Sequence, residues 1–262
     1  MAGPLDHIAP ELRRLGPPPK EARGEVLFLH GAWVGGWHLE PLAWAAAEAG
    51  FGANLLDLPG HGARIWDLPA GSGLKDYASV AGRAAGSLGR PALVAHSMGG
   101  WIAQKILEVA DLPALLLCPV PGAGLPWTTT ARLSLLDPLG MNGVFLGRPL
   151  KVRDPETLHR ACFLDFPMDE ARAMFARLGP EPPRAALDMG LGLAKARPPL
   201  GRRPRMVAAA ERDFFVPPAR LERLARQLGA GFTLLPGYPH NCWQEDPQGR
   251  VTALMMDFLG QV

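Results

Sequence analysis

A serine hydroxyl becomes a nucleophile only when a neighbouring base takes its proton, and Ser97 has the surroundings for it. The stretch Leu93-Val94-Ala95-His96-Ser97-Met98-Gly99-Gly100 runs an apolar strand into a turn and then a helix, with Ser97 at the turn. A strained turn of this kind lifts the hydroxyl clear of a sheet. Strand and helix nearly touch there, so small residues are needed two places before and two after the serine. Ala95 and Gly99 occupy those places, giving A-x-S-x-G rather than the usual G-x-S-x-G.

In this arrangement the partners follow in the order serine, acid, histidine. The apolar run Arg205–Ala210 leads into Glu211-Arg212-Asp213-Phe214-Phe215-Val216-Pro217. Asp213 lies in the loop after that strand and is the expected acid, with Glu211 as the alternative. His240, in Pro236-Gly237-Tyr238-Pro239-His240-Asn241, lies in the loop before the last helix. The expected triad is therefore Ser97, Asp213 and His240. The imidazole takes and returns a proton, and the carboxylate holds its tautomer. A tetrahedral intermediate also needs donors for its oxyanion. The first core strand ends in Leu29-His30-Gly31-Ala32-Trp33, and the backbone N–H groups of Ala32 and Met98 are the expected oxyanion hole. His30, His61 and His96 read as structural histidines, and no metal ligand set has a known spacing.

Placing these residues requires a regular rhythm of elements. Strands are expected at Glu25–Leu29, Gly52–Asp57, Pro91–Ala95, Ala114–Pro119, Arg205–Ala210 and Phe232–Leu235, with helices between them. Helices are read over Trp37–Gly50, Leu74–Leu88, Met98–Val109 and Asp246–Leu259. Another is read around Leu221, Leu224, Ala225 and Leu228, stopped by Gly229. Alternation of this kind predicts an α/β fold with a mostly parallel, doubly wound sheet. Ligands then bind beyond the carboxyl ends of the strands. The rhythm breaks between Gly122 and about Pro204, where helical patches such as Asp154–Phe163 and Met168–Leu178 occur without a convincing strand. The expected organisation is an N-terminal extension over 1–24 with at most a poor edge strand, a core over 25–121 and 204–262, and a helical lid over 122–203 inserted between two strands.

Bulk properties narrow the class. The 262 residues are 48% hydrophobic and 20% charged, enough to bury a sizeable core. A formal net charge of +2 argues against nucleic acid as a partner. The absence of a long apolar run argues against a membrane partner. Arg197, Arg202, Arg203 and Arg205 cluster among prolines and read as a solvated linker. Cys118, Cys162 and Cys242 form neither a disulfide framework nor a zinc motif, which favours a reduced, cytoplasmic setting. There is no Walker loop and no dinucleotide glycine fingerprint, so no cofactor is expected. The expected partner is a small-molecule substrate, on a monomer or homodimer.

Taken together, His30-Gly31-Ala32-Trp33…Gly36-Trp37, Asp57-Leu58-Pro59-Gly60-His61-Gly62, the Ser97 turn, Asp213 with Val216-Pro217, and His240 resemble the α/β-hydrolase superfamily over about residues 25 to 260. The His-Gly-Ala-Trp stretch and the segment from Cys162 to Pro182 look closest to a branch holding plant methyl-ester esterases, hydroxynitrile lyases and bacterial hydrolases. The resemblance implies a cofactor-free enzyme with a helical lid and the site assignments above. The related lyases carry lysine after the catalytic histidine. Asn241 stands there, which argues against cyanohydrin cleavage. A serine at the turn argues against relatives that use aspartate in that place.

Trp33, Trp101, Trp127 and Phe163 are expected to line the pocket, with Trp37, Met98, Met141, Phe145 and Phe166 nearby. An apolar pocket of this kind predicts a small, largely uncharged ester split through an acyl-enzyme. Arg148, Lys151 and Arg153 would instead favour a carboxylate. The same triad could serve carbon–carbon bond hydrolysis of a diketone, or a non-catalytic ligand sensor on the same fold.

Overall fold

The computed structural model describes residues 9–67 and 71–262. Continuous apolar runs make the centre of the sheet. β2 (Glu25–Leu29), β3 (Gly52–Asp57), β4 (Ala92–His96), β5 (Ala114–Leu117), β6 (Arg205–Ala210) and β7 (Gly231–Leu235) are joined by β1 (Glu11–Leu15) in one seven-stranded sheet. The order is β1-β3-β2-β4-β5-β6-β7, parallel except for β1, which pairs antiparallel with β3. The helices of the core are α1 (Glu40–Glu48), α2 (Leu74–Ser87), α3 (Met98–Leu107), α9 (Pro218–Leu228) and α10 (Arg250–Leu259).

Side chains of a strand alternate between faces, and here both faces are buried. Leu27 and Leu29 of β2, with Leu93 and Ala95 of β4, enter one core with residues of α2, α3 and α9. Val26, Phe28 and Val94 enter the other, with residues of α1 and α10. Each fully buried Leu, Val or Phe contributes about 1.5–3 kcal/mol, so register is fixed from both sides. α9 buries Leu221, Leu224, Ala225 and Leu228 and ends at Gly229, whose φ of +59° suits glycine.

Residues 11–15 of the N-terminal segment form an edge strand of the main sheet, as its reading allowed; residues 1–8 lie outside the described residues. Charged side chains make it a poor strand by sequence. Arg14 pairs with Glu25 of β2, and Arg13 with Glu40 of α1. Arg205 leaves the solvated cluster in which it was expected. It is buried and pairs with Asp111 at 2.9 Å.

Between β5 and β6 the chain forms α4 (Trp127–Leu136), α5 (Pro138–Phe145), α6 (Pro155–Cys162), α7 (Met168–Phe175) and α8 (Pro183–Gly190). Asp154 caps α6 by accepting from Thr157 N–H at 2.6 Å, with Pro155 at the first helical position. Residues of this insertion line the same cavity as Ser97, which follows the carboxyl end of β4.

Candidate active site

Ser97 links β4 to α3 with φ +53°, a left-handed conformation costing a non-glycine residue about 1–3 kcal/mol. Neighbouring backbone holds it there. Ser97 N–H donates to Leu117 O at 3.1 Å, and Ser97 O accepts from Val120 N–H at 2.8 Å. A side chain at Gly99 would overlap the carbonyl of Leu29, which accounts for glycine two residues past the serine. Ala95 is fully buried in the place of the usual first glycine.

The expected triad residues are brought together. His240 Nε2 lies 3.0 Å from Ser97 Oγ, and His240 Nδ1 lies 2.9 and 3.0 Å from the two oxygens of Asp213. Because Nδ1 faces a carboxylate, it carries the proton, leaving the Nε2 lone pair for the serine hydroxyl. Asp213 is aimed by its own loop: its Oδ1 accepts from Phe215 N–H at 2.7 Å and Val216 N–H at 3.2 Å. Glu211, the alternative acid, is exposed and accepts from Gly237 N–H at 2.8 Å.

Behind the triad sit neutral histidines. His30 Nε2 accepts from Leu58 N–H at 3.2 Å, so its Nδ1–H donates to Gly31 O at 2.8 Å. Burial, helped by nearby His61, pushes the His30 pKa down to about 3. Burial likewise takes His38 to about 3 and lowers His96 well below its usual value. His96 donates from Nε2 to the His240 carbonyl at 3.2 Å, while His38 Nε2 bonds Gln244 Oε1 at 3.0 Å. Trp243 packs edge-on against both rings.

Of the residues carrying the two expected oxyanion amides, Met98 directly follows Ser97 and Ala32 lines the same cavity as Ser97. Met98 opens α3, where a backbone N–H has no intrahelical acceptor. Ala32 follows Gly31, where a Cβ would lie only 3.1 Å from His96 Nδ1 and 3.2 Å from Ser97 Cβ. The next residue, Trp33, is held at φ +65°.

A cavity with an empty volume of about 960 Å³, counting space open to solvent, reaches Ser97 and His240. Its apolar walls come largely from the insertion, through Leu133, Met141, Val144, Leu158, Met174 and Met189. Of the four residues expected to line it, only Trp33 does. Trp101 is fully buried on α3 and donates from Nε1 to Gly122 O at 3.3 Å. Trp127 is 76% exposed at the start of α4. Phe163 stacks on Phe166 in the core. Aromatic type marked all four, but facing direction decides lining, and isolated aromatics do not reveal it. Lys151 and Arg153 line an adjoining pocket, and Arg153 is engaged by Asp154.

Among the described residues, Cys118, Asp213 and His240 bring candidate ligand atoms within 4.8 Å of one another. Asp213 and His240 already bond each other through those atoms. Again among the described residues, no helix is long and apolar enough to cross a membrane.

The model of the Alpha/beta hydrolase family matches residues 26–254. The chain belongs to that family. No curated protein matches it. Among solved structures, an esterase from Exiguobacterium antarcticum is similar with a TM-score of 0.77 at 15% identity, covering 96% of this chain and 95% of that one. A thermophilic esterase from Thermogutta terrifontis gives 0.71 at 18% identity, with 95% and 92% covered. A methylesterase from Arabidopsis gives 0.69 at 20% identity, with 91% and 100% covered. At these identities the likeness speaks for this α/β-hydrolase fold.

Sequence reasoning missed Glu181. It is fully buried within the insertion and bonds both His61 and the Trp33 N–H. A carboxylate between two prolines in a segment without periodicity was its only signal.

Proposed function

We propose that this α/β-hydrolase cleaves a small, largely apolar carboxylic ester through an acyl-enzyme on Ser97. The observation that carries the reading is the continuous hydrogen-bonded line Ser97 Oγ, His240, Asp213 at 3.0 and 2.9 Å beside an apolar cavity. His240 takes the hydroxyl proton as Ser97 attacks the ester carbonyl, and then gives it to the departing alkoxide. A water, deprotonated by the same imidazole, attacks the acyl-enzyme, and the proton returns to Ser97. Asp213 keeps the productive tautomer and stabilises the imidazolium. The N–H groups of Ala32 and Met98 receive the carbonyl oxygen as it becomes charged. The esterases among the structural neighbours support ester over carbon–carbon cleavage. The insertion acts as the lid that shapes the acyl pocket.

The test is a pre-steady-state burst with chromogenic esters of increasing acyl length, together with fluorophosphonate labelling mapped to Ser97. The expected result is a burst equal to the enzyme concentration and labelling lost in Ser97→Ala. Full turnover by a folded Ser97→Ala variant ends the proposal. Turnover of a diketone with negligible esterase activity replaces the ester with a carbon–carbon bond.

A further inference from the structure

Three hydrogen bonds hold Trp33, the residue after the Ala32 amide, and all come from the insertion. Trp33 N–H donates to Glu181 Oε2 at 3.2 Å, and Trp33 O accepts from Gly179 N–H at 2.7 Å. Its indole Nε1–H donates to Leu150 O at 3.1 Å, and Leu150 and Glu181 form a reciprocal bridge with both backbone bonds at 2.8 Å. From the core side, His30 Nδ1–H bonds Gly31 O at 2.8 Å. That carbonyl shares a peptide plane with the Ala32 N–H, which points the opposite way across the trans bond. The plane of the proposed oxyanion donor is thus pinned by His30 on one side and by Trp33 on the other.

Glu181 joins the two halves. The carboxylate oxygen that accepts from Trp33 also lies 3.1 Å from His61 Nε2, and both side chains are fully buried. His61 Nδ1 faces another acceptor, Pro59 O, at 3.2 Å. Acceptors at both nitrogens fit a doubly protonated imidazole, so we take the pair as His61⁺ with Glu181⁻. Burying two charges costs several kcal/mol per ion, and an apolar pair of similar volume is often as stable or more so. Stability therefore gives a weak reason for a carboxylate here, whereas hydrogen-bond acceptance at Trp33 requires an acceptor.

We infer that Glu181 is a positioning residue for the oxyanion turn: seating the insertion on the core through Glu181 fixes Trp33 in its left-handed conformation and thereby aims the Ala32 amide at the reacting carbonyl. The insertion then forms a pocket wall and also completes the catalytic centre. This inference rests on the ester-hydrolase reading above.

The test compares Glu181→Gln with Glu181→Leu. Both fill the space, but only glutamine accepts a hydrogen bond from Trp33. The expected result for Glu181→Leu is a fall of about 10- to 100-fold in kcat with KM within about twofold, by analogy with a misplaced oxyanion donor. The second-order rate of Ser97 labelling by a fluorophosphonate, per folded molecule, falls in the same ratio. Glu181→Gln stays within about fivefold of the native chain on both readouts. If Glu181→Leu does not fold, the double variant His61→Leu with Glu181→Leu carries the same test, because it leaves no unpaired buried charge. Native labelling rates in the leucine variant overturn the inference. So does a change confined to KM, or a loss fully explained by the unfolded fraction. A native chain that fails to label removes the reading beneath it.

Discussion

Beneath Ser97 the site is held by sheet: β4 lies between β2 and β5, both faces of β2 and β4 are buried, and α3 presses so closely that Gly99 has no room for a side chain. Above Ser97 it is held by five helices of eight to ten residues each. Helices that short are marginal alone and owe their stability to packing. The roof is tied to the floor at particular points. Thr129 hydroxyl donates to Phe215 O at 2.6 Å, Asn241 N–H donates to Cys162 O at 3.1 Å, and Glu181 meets His61 and Trp33. Each tie touches a loop bearing or adjoining a proposed site residue: the acid, the histidine or the oxyanion turn. The floor supplies fixed geometry, while the roof supplies shape and finishes the aim.

The difference is sharpest when the floor is broken chemically. Ser97→Ala is expected to lower ester turnover by about 10⁴-fold or more while leaving the thermal midpoint close to native. A smaller loss would place the chemistry elsewhere. Breaking the floor by packing is next. Gly99→Ala forces a methyl group into the Leu29 carbonyl. Urea unfolding should then show a loss of about 3 kcal/mol or more, with activity falling alongside. In the roof, trimming Leu133→Ala enlarges the cavity without touching Ser97. The preference between short and longer acyl chains should shift by about 10- to 100-fold, with stability changed far less than in Gly99→Ala. Equal effects from the two substitutions would erase the distinction between floor and roof.

The gentlest probe is pH, and the floor's buried neutral histidines and the His61–Glu181 tie between floor and roof should respond with opposite sign. His30 and His38, lowered to about 3, and His96, also lowered, are neutral when folded but bind protons near pH 6.5 when unfolded. The unfolded state therefore takes up more protons below about pH 6.5, and stability falls as pH drops toward 3, by at most about 1.4 kcal/mol per pH unit per histidine. His61 runs the other way. Burial opposes its charge, but Glu181 outweighs burial and raises the pKa, with Asp57 adding to the effect; the rings of His30 and Tyr77 also face it. Its contribution is complete below about pH 6.5 and fades as pH rises through the raised folded value. Thermal midpoints from pH 4 to 9 should show both limbs, and His61→Gln should flatten the alkaline one.

The same division governs what could be read from the chain. Val26 to Leu29 and Leu93 to Ala95 are uninterrupted apolar runs, so the central strands were legible nearly to the residue. Ser97, Asp213 and His240 were legible because each sits in a loop directly after one of the strands β4, β6 and β7. β1 was obscured because Arg13 and Arg14 find their partners far along the chain, at Glu40 and Glu25. The roof was obscured for a related reason. Its helices are short and rimmed with proline, and whether Trp127 or Met174 faces the cavity depends on tertiary packing that no local period encodes.

The contact between Gly99 and the Leu29 carbonyl also bears on how the protein can change over generations. A side chain there has nowhere to go, so mutation at the elbow is a closed door, and the chemistry is inherited whole or lost. Leu133, Met141 and Met174 border open space instead, and volume can be traded among them one methyl group at a time. New substrate preference would enter this lineage through the roof, and a library randomised there should recover variants with altered acyl preference, whereas one randomised at position 99 should return only the parent residue.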